Sequence, residues 1–190
     1  MIVDALILAG GRSSRLGGSD KWNLRIAGVT LLDRSIRAVR HAGARSVVVV
    51  GDETADAVVT VREDPAFAGP VAAIAAGLTA LAGTADAVLV IACDMPGIDA
   101  ALPALLGGFR GDGAIAVDRG RRQQLAIVVA PAALASVVAT LPTVVDASMR
   151  GLLDGLDLTE VVVPDGATDD IDTWSDAERF GAIPMTGAHA

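Results

Sequence analysis

The sequence predicts an α/β fold of three layers, with a mostly parallel sheet between two layers of helices. Apolar runs of strand length recur along the 190 residues. They are continuous rather than alternating, which is typical of strands that are covered on both faces. Segments with helical periodicity lie between them, and this alternation favours a parallel sheet with helices on either side. Ligands of such sheets bind at the carboxyl ends of the strands, so the loops that follow the strands are the candidates for a site.

The individual elements are predicted in chain order. Strands are expected over residues 3–8, 46–50, 87–92, 114–117, 125–129 and 160–163. Helices are expected over residues 31–42, 70–81, 99–106, 131–141, 146–153 and 174–180. One face of the first helix carries Leu31, Leu32, Ser35, Ile36, Val39 and Ala42, and Gly43 follows as its stop. Pro70 favours the start of the second helix, because proline suits the first helical position.

Length and composition indicate one domain over residues 1–180, followed by a loose tail over 181–190. Hydrophobic residues make up 52% of the chain and aromatic residues only 3%, so small aliphatic side chains must build the core. The formal charge of -8 argues against a general binder of nucleic acid or of anionic membranes. The most apolar long stretch is 125–141, which Pro131 divides into a strand and a helix, so no membrane span is predicted.

The cysteine count and the first residues of the chain indicate the cellular compartment. Cys93 is the only cysteine, so no internal disulfide can form, which fits a reducing cytoplasm. The start of the chain carries Asp4 and no basic segment, so no signal peptide is visible. We expect a cytoplasmic protein, and a monomer or weak oligomer.

The most informative segment is the glycine-rich loop after the first strand, where residues 3–21 read VDALILAGGRSSRLGGSDK. The loop collects four glycines and three cations: Gly10, Gly11, Gly17, Gly18, Arg12, Arg15 and Lys21. Glycines allow a close backbone approach to a ligand, and exposed amides with fixed cations form an anion site. On an acidic protein, this loop predicts a phosphate site. The alternative is a flexible connection with solvated charges.

The loop matches neither of the two commonest phosphate-binding motifs. A P-loop requires Gly-Lys-Ser/Thr, whereas Lys21 follows Asp20 and precedes Trp22. A dinucleotide-binding fingerprint requires GxGxxG, whereas Gly10 and Gly11 are adjacent and no later glycine is in register. The glycine-rich loop alone therefore does not identify the type of phosphate ligand.

Two carboxylate positions follow later strands. Asp94 comes directly after the apolar run 87–92, where it is either a turn residue or, beside a phosphate loop, a ligand for Mg²⁺. The neighbouring Cys93 is interpreted as a small buried apolar residue rather than a nucleophile. Asp172 or Thr173 could cap the helix that starts near Trp174, with Asp176 favourable in its first turn. The acidic segment 169–173 could also supply a second metal carboxylate.

These motifs together resemble the molybdenum cofactor guanylyltransferases, nucleotidyltransferases with a GT-A-like, Rossmann-related fold. LAGGRSSRLGGSDK is similar to the family pattern LAGGxSxRMGxDK, with Leu16 in place of Met and one extra residue before Asp20. The further matching segments are Gly69-Pro70 with Gly77-Leu78, Cys93-Asp94-Met95-Pro96, Gln124-Leu125, Arg150-Gly151-Leu152-Leu153 and Asp170-Ile171-Asp172-Thr173. The resemblance spans residues 4–180.

The sequence departs from the family pattern at several positions. Asp-Ile-Asp-Thr at 170–173 is also usual in related cytidylyltransferases and phospholactate guanylyltransferases. Trp22-Asn23 replaces small or aliphatic residues, and Trp174-Ser175 replaces Pro-Glu. The nucleotide base and the acceptor are therefore less well determined than the chemistry.

The resemblance implies transfer of GMP from GTP onto the phosphate of the molybdenum cofactor, with release of pyrophosphate and with Mg²⁺ as the cofactor. The partners are then GTP and a phosphorylated pterin. The implied catalytic residues are Arg15, Lys21 and Asp94. The implied nucleotide-binding residues are Leu8, Ala9, Gly10, Gly11, Arg12, Ser13, Lys21, Asp64 and Asp94. The implied metal ligands are Asp94 and Asp172, with Asp170 in reserve, and Asp20 is expected to orient Lys21 or Arg15.

Alternatives remain for the substrates. The protein could use CTP or another phosphorylated acceptor, or bind nucleotide without catalysis. Arg119, Arg121 and Arg122 precede the strand 125–129 and could grip an anionic acceptor. A solvated basic turn explains them equally well.

Overall fold

The computed structural model describes residues 1–10, 24–52, 55, 57–81 and 83–184. The strands are β1 (Val3–Leu8), β2 (Arg25–Ile26), β3 (Val29–Thr30), β4 (Ala44–Val50), β5 (Val59–Val61), β6 (Ala87–Ala92), β7 (Gly113–Asp118), β8 (Arg121–Val129), β9 (Leu158–Val162) and β10 (Ala182–Ile183). The helices are α1 (Leu31–His41), α2 (Pro70–Ala80), α3 (Leu102–Gly107), α4 (Pro131–Thr140), α5 (Met149–Leu153) and α6 (Trp174–Arg179), with a short 3-10 helix at Ile98–Ala100.

A seven-stranded sheet in the order β5-β4-β1-β6-β8-β7-β9 forms the middle layer. Strands β5, β4, β1 and β6 are mutually parallel, and β7 is parallel to β9. Strand β8 is antiparallel to both of its neighbours. A two-residue turn joins β7 to β8, with positive φ at Arg119 and Gly120, which matches the twist of the strands it connects. The prediction of a mostly parallel sheet is confirmed.

Helices cover both faces of the sheet, as predicted. On one face, alternate strand residues pack with α1, the 3-10 helix and α3. On the other face, the intervening strand residues pack with α2, α4 and α5. The central strand β1 is buried along its whole length because it contributes side chains to both faces. The core consists almost entirely of Ala, Val, Leu and Ile, as the composition requires.

The structure corrects several predicted boundaries. The strand β5 and a small sheet in the order β10-β2-β3 were not predicted. The predicted loose tail is wrong at its start, because Ala182 and Ile183 pair with β2; residues 185–190 lie outside the described part. Helix α5 begins at Met149 rather than at 146, because Asp146 has a φ of +54° and cannot be helical. The predicted helix 99–106 is divided into the 3-10 helix and α3.

The helices of the described residues are too short or too polar to cross a membrane. The prediction that 125–141 divides into a strand and a helix is confirmed by β8 and α4.

Candidate active site

The carboxyl ends of four parallel strands meet at one edge of the sheet. Leu8 at the end of β1 is in register with Val50 of β4 and with Ala92 of β6, and Val50 is in register with Val61 of β5. The segments that follow these residues therefore emerge side by side. Among them are the glycine-rich loop after β1 and the Asp94 loop after β6, so the structure brings the two strand ends together as the sequence predicts.

The start of the glycine-rich loop is tied to the neighbouring strand ends. The amides of Ala9 and Gly10 both donate to the carbonyl oxygen of Val50, at 2.8 and 3.1 Å. The carbonyl of Leu8 accepts a hydrogen bond of 3.0 Å from the amide of Cys93. Both described amides of this segment are thus directed at the sheet, so a nucleotide contact from Ala9 or Gly10 would use carbonyl oxygens instead.

Gly51 allows β4 to approach the exit of β1 closely. A Cβ atom at this position would lie 3.1 Å from both the carbonyl carbon of Ala9 and the amide nitrogen of Gly10. Such a contact is with backbone and must shift the start of the glycine-rich loop by a few tenths of an ångström. Because Gly51 has no side chain, the predicted nucleotide-binding segment can lie this close to the end of β4.

We expect Gly51→Ala to weaken nucleotide use more than stability. The displaced Ala9-Gly10 backbone should raise the KM for the nucleoside triphosphate by about tenfold, since small misplacements near a reacting group are costly. Gly107→Ala is the matched control, because a Cβ there meets nothing within 4 Å. Steady-state kinetics check both variants, and an unchanged KM in Gly51→Ala would contradict the role of this close approach.

The Asp94 loop is held through its backbone carbonyls by three different hydrogen bonds. The Ser35 hydroxyl of α1 donates to the carbonyl of Cys93 at 3.2 Å. The amide of Ile171 donates to the carbonyl of Asp94 at 3.0 Å. Nη2 of Arg34 donates to the carbonyl of Pro96 at 3.2 Å. The Asp94 side chain is half-buried, so the loop presents it from a fixed backbone. Cys93 is 5% exposed, in agreement with its interpretation as a buried residue.

The acidic segment after β9 is anchored next to Asp94. Ile171 is fully buried in a small cluster with Leu24, Leu31 and Ala177. Its amide reaches the Asp94 carbonyl, which places the flanking Asp170 and Asp172 beside the Asp94 loop. Asp172 is half-buried and Asp170 is exposed. Carboxylates from two loops are a donor set that Mg²⁺ prefers, together with phosphate oxygens and water. The residues present therefore fit the metal that the sequence predicts.

Thr173, rather than Asp172, is the N-cap of α6. Its hydroxyl accepts from the amide of Asp176, and a carboxylate oxygen of Asp176 accepts from the amide of Thr173. The hydrogen bond from the Thr173 hydroxyl is the main reason that the pKa of Asp176 is lowered. The expectations for Thr173 and Asp176 are confirmed, and Asp172 contributes its backbone amide, which donates to Asp176 at 3.3 Å.

Asp118 fixes the loop that carries the acidic segment, and sequence reasoning missed it. It ends β7, is 3% exposed, and accepts hydrogen bonds from the amides of Gly166 and Thr168 and from the Thr168 hydroxyl, at 3.0, 3.1 and 2.8 Å. Burial opposes its ionisation, but these hydrogen bonds outweigh burial and lower its pKa. The sequence signal that could have identified Asp118 is a single aspartate at the end of an apolar strand.

Basic residues in the β7–β8 turn and at the start of β8 are paired with acidic side chains. Arg119 contacts Asp169 at 2.9 Å, and Arg179 contacts the other oxygen of the same carboxylate at 3.2 Å. Arg122 lies 3.4 Å from Glu160. Two of the three arginines that were candidates for binding an anionic acceptor substrate thus have acidic partners. Through Asp169, Arg119 also helps to hold the acidic segment in place.

Asp64 follows β5 at the same edge of the sheet and is exposed. The preceding Glu63 is buried, and its Oε1 accepts a hydrogen bond of 2.9 Å from the amide of Phe67. Arg62 lies over the Phe67 ring at 4.7 Å and forms an ion pair with Asp52. These contacts order the turn that presents Asp64.

The remaining predicted site residues lie outside the described residues; they are Gly11, Arg12, Ser13, Arg15, Asp20 and Lys21. Within the described ranges, no group of three or more His, Cys, Asp and Glu side chains is placed to hold a metal ion. The predicted metal site draws on two carboxylates, Asp94 and Asp172.

The three-layer fold, with a glycine-rich strand exit and carboxylates at one edge of the sheet, defines a protein of the Rossmann-like nucleotide-binding class. Residues 5–161 match the family described as the MobA-like NTP transferase domain. The chain belongs to this family of nucleotidyltransferases.

Relatives of known family agree with this assignment. A probable molybdenum cofactor guanylyltransferase of Opitutus terrae is 43% identical over 100 residues, which is 50% of this chain and 49% of the relative. A molybdenum cofactor guanylyltransferase of Shewanella amazonensis is 30% identical over 141 residues, which is 68% of this chain and 69% of the relative. The match thus spans about half of the first relative and about two thirds of the second.

A protein of Mycobacterium tuberculosis H37Rv shares the fold. One of its crystal structures has a TM-score of 0.78 and 20% identity, covering 95% of this chain and 97% of that one. Another, in complex with manganese, has a TM-score of 0.69 and 17% identity, covering 95% and 98%. A structural neighbour thus binds a divalent metal.

Proposed function

We propose that this protein is a molybdenum cofactor guanylyltransferase that transfers GMP from GTP onto the phosphate of the cofactor and releases pyrophosphate, in the cytoplasm and with Mg²⁺. The names of the relatives support the reaction. The observation that carries the site is the hydrogen bond from Ile171 to the Asp94 carbonyl. This backbone contact ties the acidic segment that contains Asp172 to the Asp94 loop, which follows β6 beside the exit of β1, and so supports a metal site formed by the two carboxylates.

The proposed chemistry is a direct displacement. An oxygen of the acceptor phosphate attacks the α-phosphorus of GTP, the bond from that phosphorus to the bridging oxygen breaks, and pyrophosphate leaves. A phosphate monoester is already an adequate nucleophile, so the protein mainly aligns the reactants and neutralises charge. Arg15 and Lys21 are the proposed cations, with Lys21 near the α-phosphate. Mg²⁺, held by Asp94 and Asp172, would neutralise charge on the phosphates.

The proposed nucleotide site lies along the edge from β5 to β6. Leu8, Ala9, Gly10 and Gly11 contact the base and phosphates, with the carbonyl oxygens of Ala9 and Gly10 as acceptors for the base. Arg12 and Ser13 continue the same loop, and Asp64 lies at the β5 end of the edge.

A nucleotide panel tests the proposal. The protein is incubated with molybdopterin-form cofactor, Mg²⁺ and one of GTP, CTP, ATP or UTP, and pyrophosphate release is measured. We expect rapid release with GTP only. Preference for CTP would overturn the assignment of the base. Tight GTP binding without turnover on any phosphorylated acceptor would indicate a binding protein and overturn the proposed activity.

The two acidic residues that flank Ile171 are distinguished by paired variants. We expect Asp172→Ala to raise the Mg²⁺ concentration for half-maximal rate by at least about tenfold, as for the loss of other groups that tune a metal site. Asp170→Ala is the matched variant, and its exposed side chain should leave that concentration nearly unchanged. A titration of rate against Mg²⁺ measures both, and the reverse order would assign the ligand role to Asp170.

A further inference from the structure

Ser35 is a polar residue on a face of α1 that is otherwise apolar and buried. The residue is 1% exposed, and its neighbours on this face are Leu31, Leu32, Ile36 and Val39. A buried hydroxyl is unfavourable unless it is hydrogen-bonded. Serine hydroxyls in helices often bond to a carbonyl four residues earlier in the same helix. The Ser35 hydroxyl instead donates to Cys93 in a different segment.

The acceptor of this hydrogen bond is the carbonyl that immediately precedes Asp94. Both backbone polar groups of Cys93 are thereby hydrogen-bonded, because its amide donates to Leu8 of β1 and its carbonyl, in the peptide group shared with Asp94, accepts from Ser35. The next carbonyl, that of Asp94, accepts from Ile171. Ser35 therefore acts on the peptide unit that sets the direction in which the Asp94 side chain leaves the backbone.

Arg34, the preceding residue of α1, makes a second contact with the same loop. Its Nη2 donates to the carbonyl of Pro96, two residues beyond Asp94. Two consecutive residues of one helix thus bond to carbonyls on either side of Asp94. If position 35 served packing alone, an apolar side chain would suit it, because every other buried position of α1 is apolar.

We propose that Ser35 is a positioning residue of the metal site, which aims the Asp94 carboxylate through the Cys93 carbonyl, with Arg34 supporting the far side of the loop. The proposal rests on the proposed function, in which Asp94 binds Mg²⁺. Groups that orient a metal ligand typically change metal affinity by 10–100-fold when they are removed. The role of Ser35 should therefore appear in the metal requirement.

The test is Ser35→Ala, which removes one hydroxyl and keeps a residue of high helix propensity. We expect the Mg²⁺ concentration for half-maximal pyrophosphate release to rise about tenfold, with a smaller loss of kcat at saturating Mg²⁺. Arg34→Ala should shift the requirement in the same direction. The proposal is overturned if the parent protein is active and Ser35→Ala needs the same Mg²⁺ concentration for half-maximal rate.

Thr30→Ala is the matched control. Thr30 caps the same helix by accepting from the amide of Asp33, and it makes no hydrogen bond to the Asp94 loop among the described residues. Loss of this cap should lower the melting temperature without altering the Mg²⁺ requirement. If Thr30→Ala shifts the Mg²⁺ requirement as much as Ser35→Ala does, general loosening of α1 explains the effect and the positioning role is wrong.

A direct binding measurement separates this inference from the proposed activity. Mn²⁺ binding to the parent protein and to Ser35→Ala is followed by electron paramagnetic resonance with GTP present. If the parent shows no turnover but Ser35→Ala still binds Mn²⁺ about tenfold more weakly, the proposed function fails and the positioning role stands. Equal Mn²⁺ affinities in the two proteins would overturn the positioning role whatever the activity.

Discussion

Asp94→Asn is expected to lower the rate of pyrophosphate release by at least about 100-fold, which is the loss seen when one electrostatic stabiliser is removed from an active site. The asparagine keeps the size of the side chain and removes its charge. The backbone contacts of residue 94 and of its neighbours to Ile171, Leu8 and Ser35 do not involve the side chain. The fold should therefore be retained, and the loss should fall on kcat.

The control for this experiment is Asp99→Asn. Asp99 is an exposed carboxylate in the 3-10 helix that follows the same loop. Its neutralisation changes the net charge equally and should leave the rate unchanged. Rates are measured at saturating GTP and Mg²⁺, and melting temperatures are compared for all three proteins. Near-normal turnover in Asp94→Asn would rule out Asp94 as a catalytic metal ligand.

Asp118→Ala is expected to reduce the free energy of unfolding by about 3 kcal/mol, because hydrogen bonds to a buried charged group are among the strongest single contributions. The change leaves the amide and hydroxyl of Thr168 without their acceptor, and Thr168 is 6% exposed. For a protein of this size, such a loss lowers the melting temperature by roughly 6–12 °C. Asp165→Ala, an exposed carboxylate in the same loop, is the control and should melt like the parent.

The effect of Asp118 depends on pH in a defined direction. Its pKa in the folded protein is below the unfolded value of about 3.9. The stabilisation is therefore complete above the unfolded pKa and is lost as the pH falls through the folded pKa. Chemical denaturation at several pH values should show a constant difference between parent and Asp118→Ala above about pH 5, which shrinks on acidification below the unfolded pKa. A difference that grows toward acid pH would contradict the lowered pKa.

The sequence predicts the main strands and helices well because each is a continuous apolar run or a clear amphipathic pattern. β1 and β6 have the predicted ends, and α2 begins at Pro70. The strands that escaped prediction are two or three residues long and half exposed, so their pattern carries no periodicity. β8 begins at Arg121 rather than at residue 125, because its first residues extend from a hairpin and carry charged and polar side chains.

The sequence predicts those residues of the candidate site that are charged and lie in a loop directly after a predicted strand. Asp94 and the acidic segment 170–172 were identified in this way, whereas Asp64 came from the family resemblance because β5 was not predicted. The structure places all three at one edge of the sheet. Ser35 and Asp118 were not recognised as parts of it. Their roles depend on contacts with residues far away in the chain, Cys93 and Thr168, and local patterns do not contain that pairing.

The small sheet joins distant parts of the chain, since β2 and β3 lie between β1 and β4 of the large sheet, whereas β10 follows its last strand, β9. Ala182 of β10 also belongs to the cluster that buries Ile171, the anchor of the acidic segment. During synthesis the chain emerges from its N-terminal side and domains fold as they appear. A nascent chain that has reached β9 can therefore assemble the seven-stranded sheet and present Asp94, but its acidic segment is not yet anchored. We expect the proposed metal site to become complete only when α6 and β10 have left the ribosome.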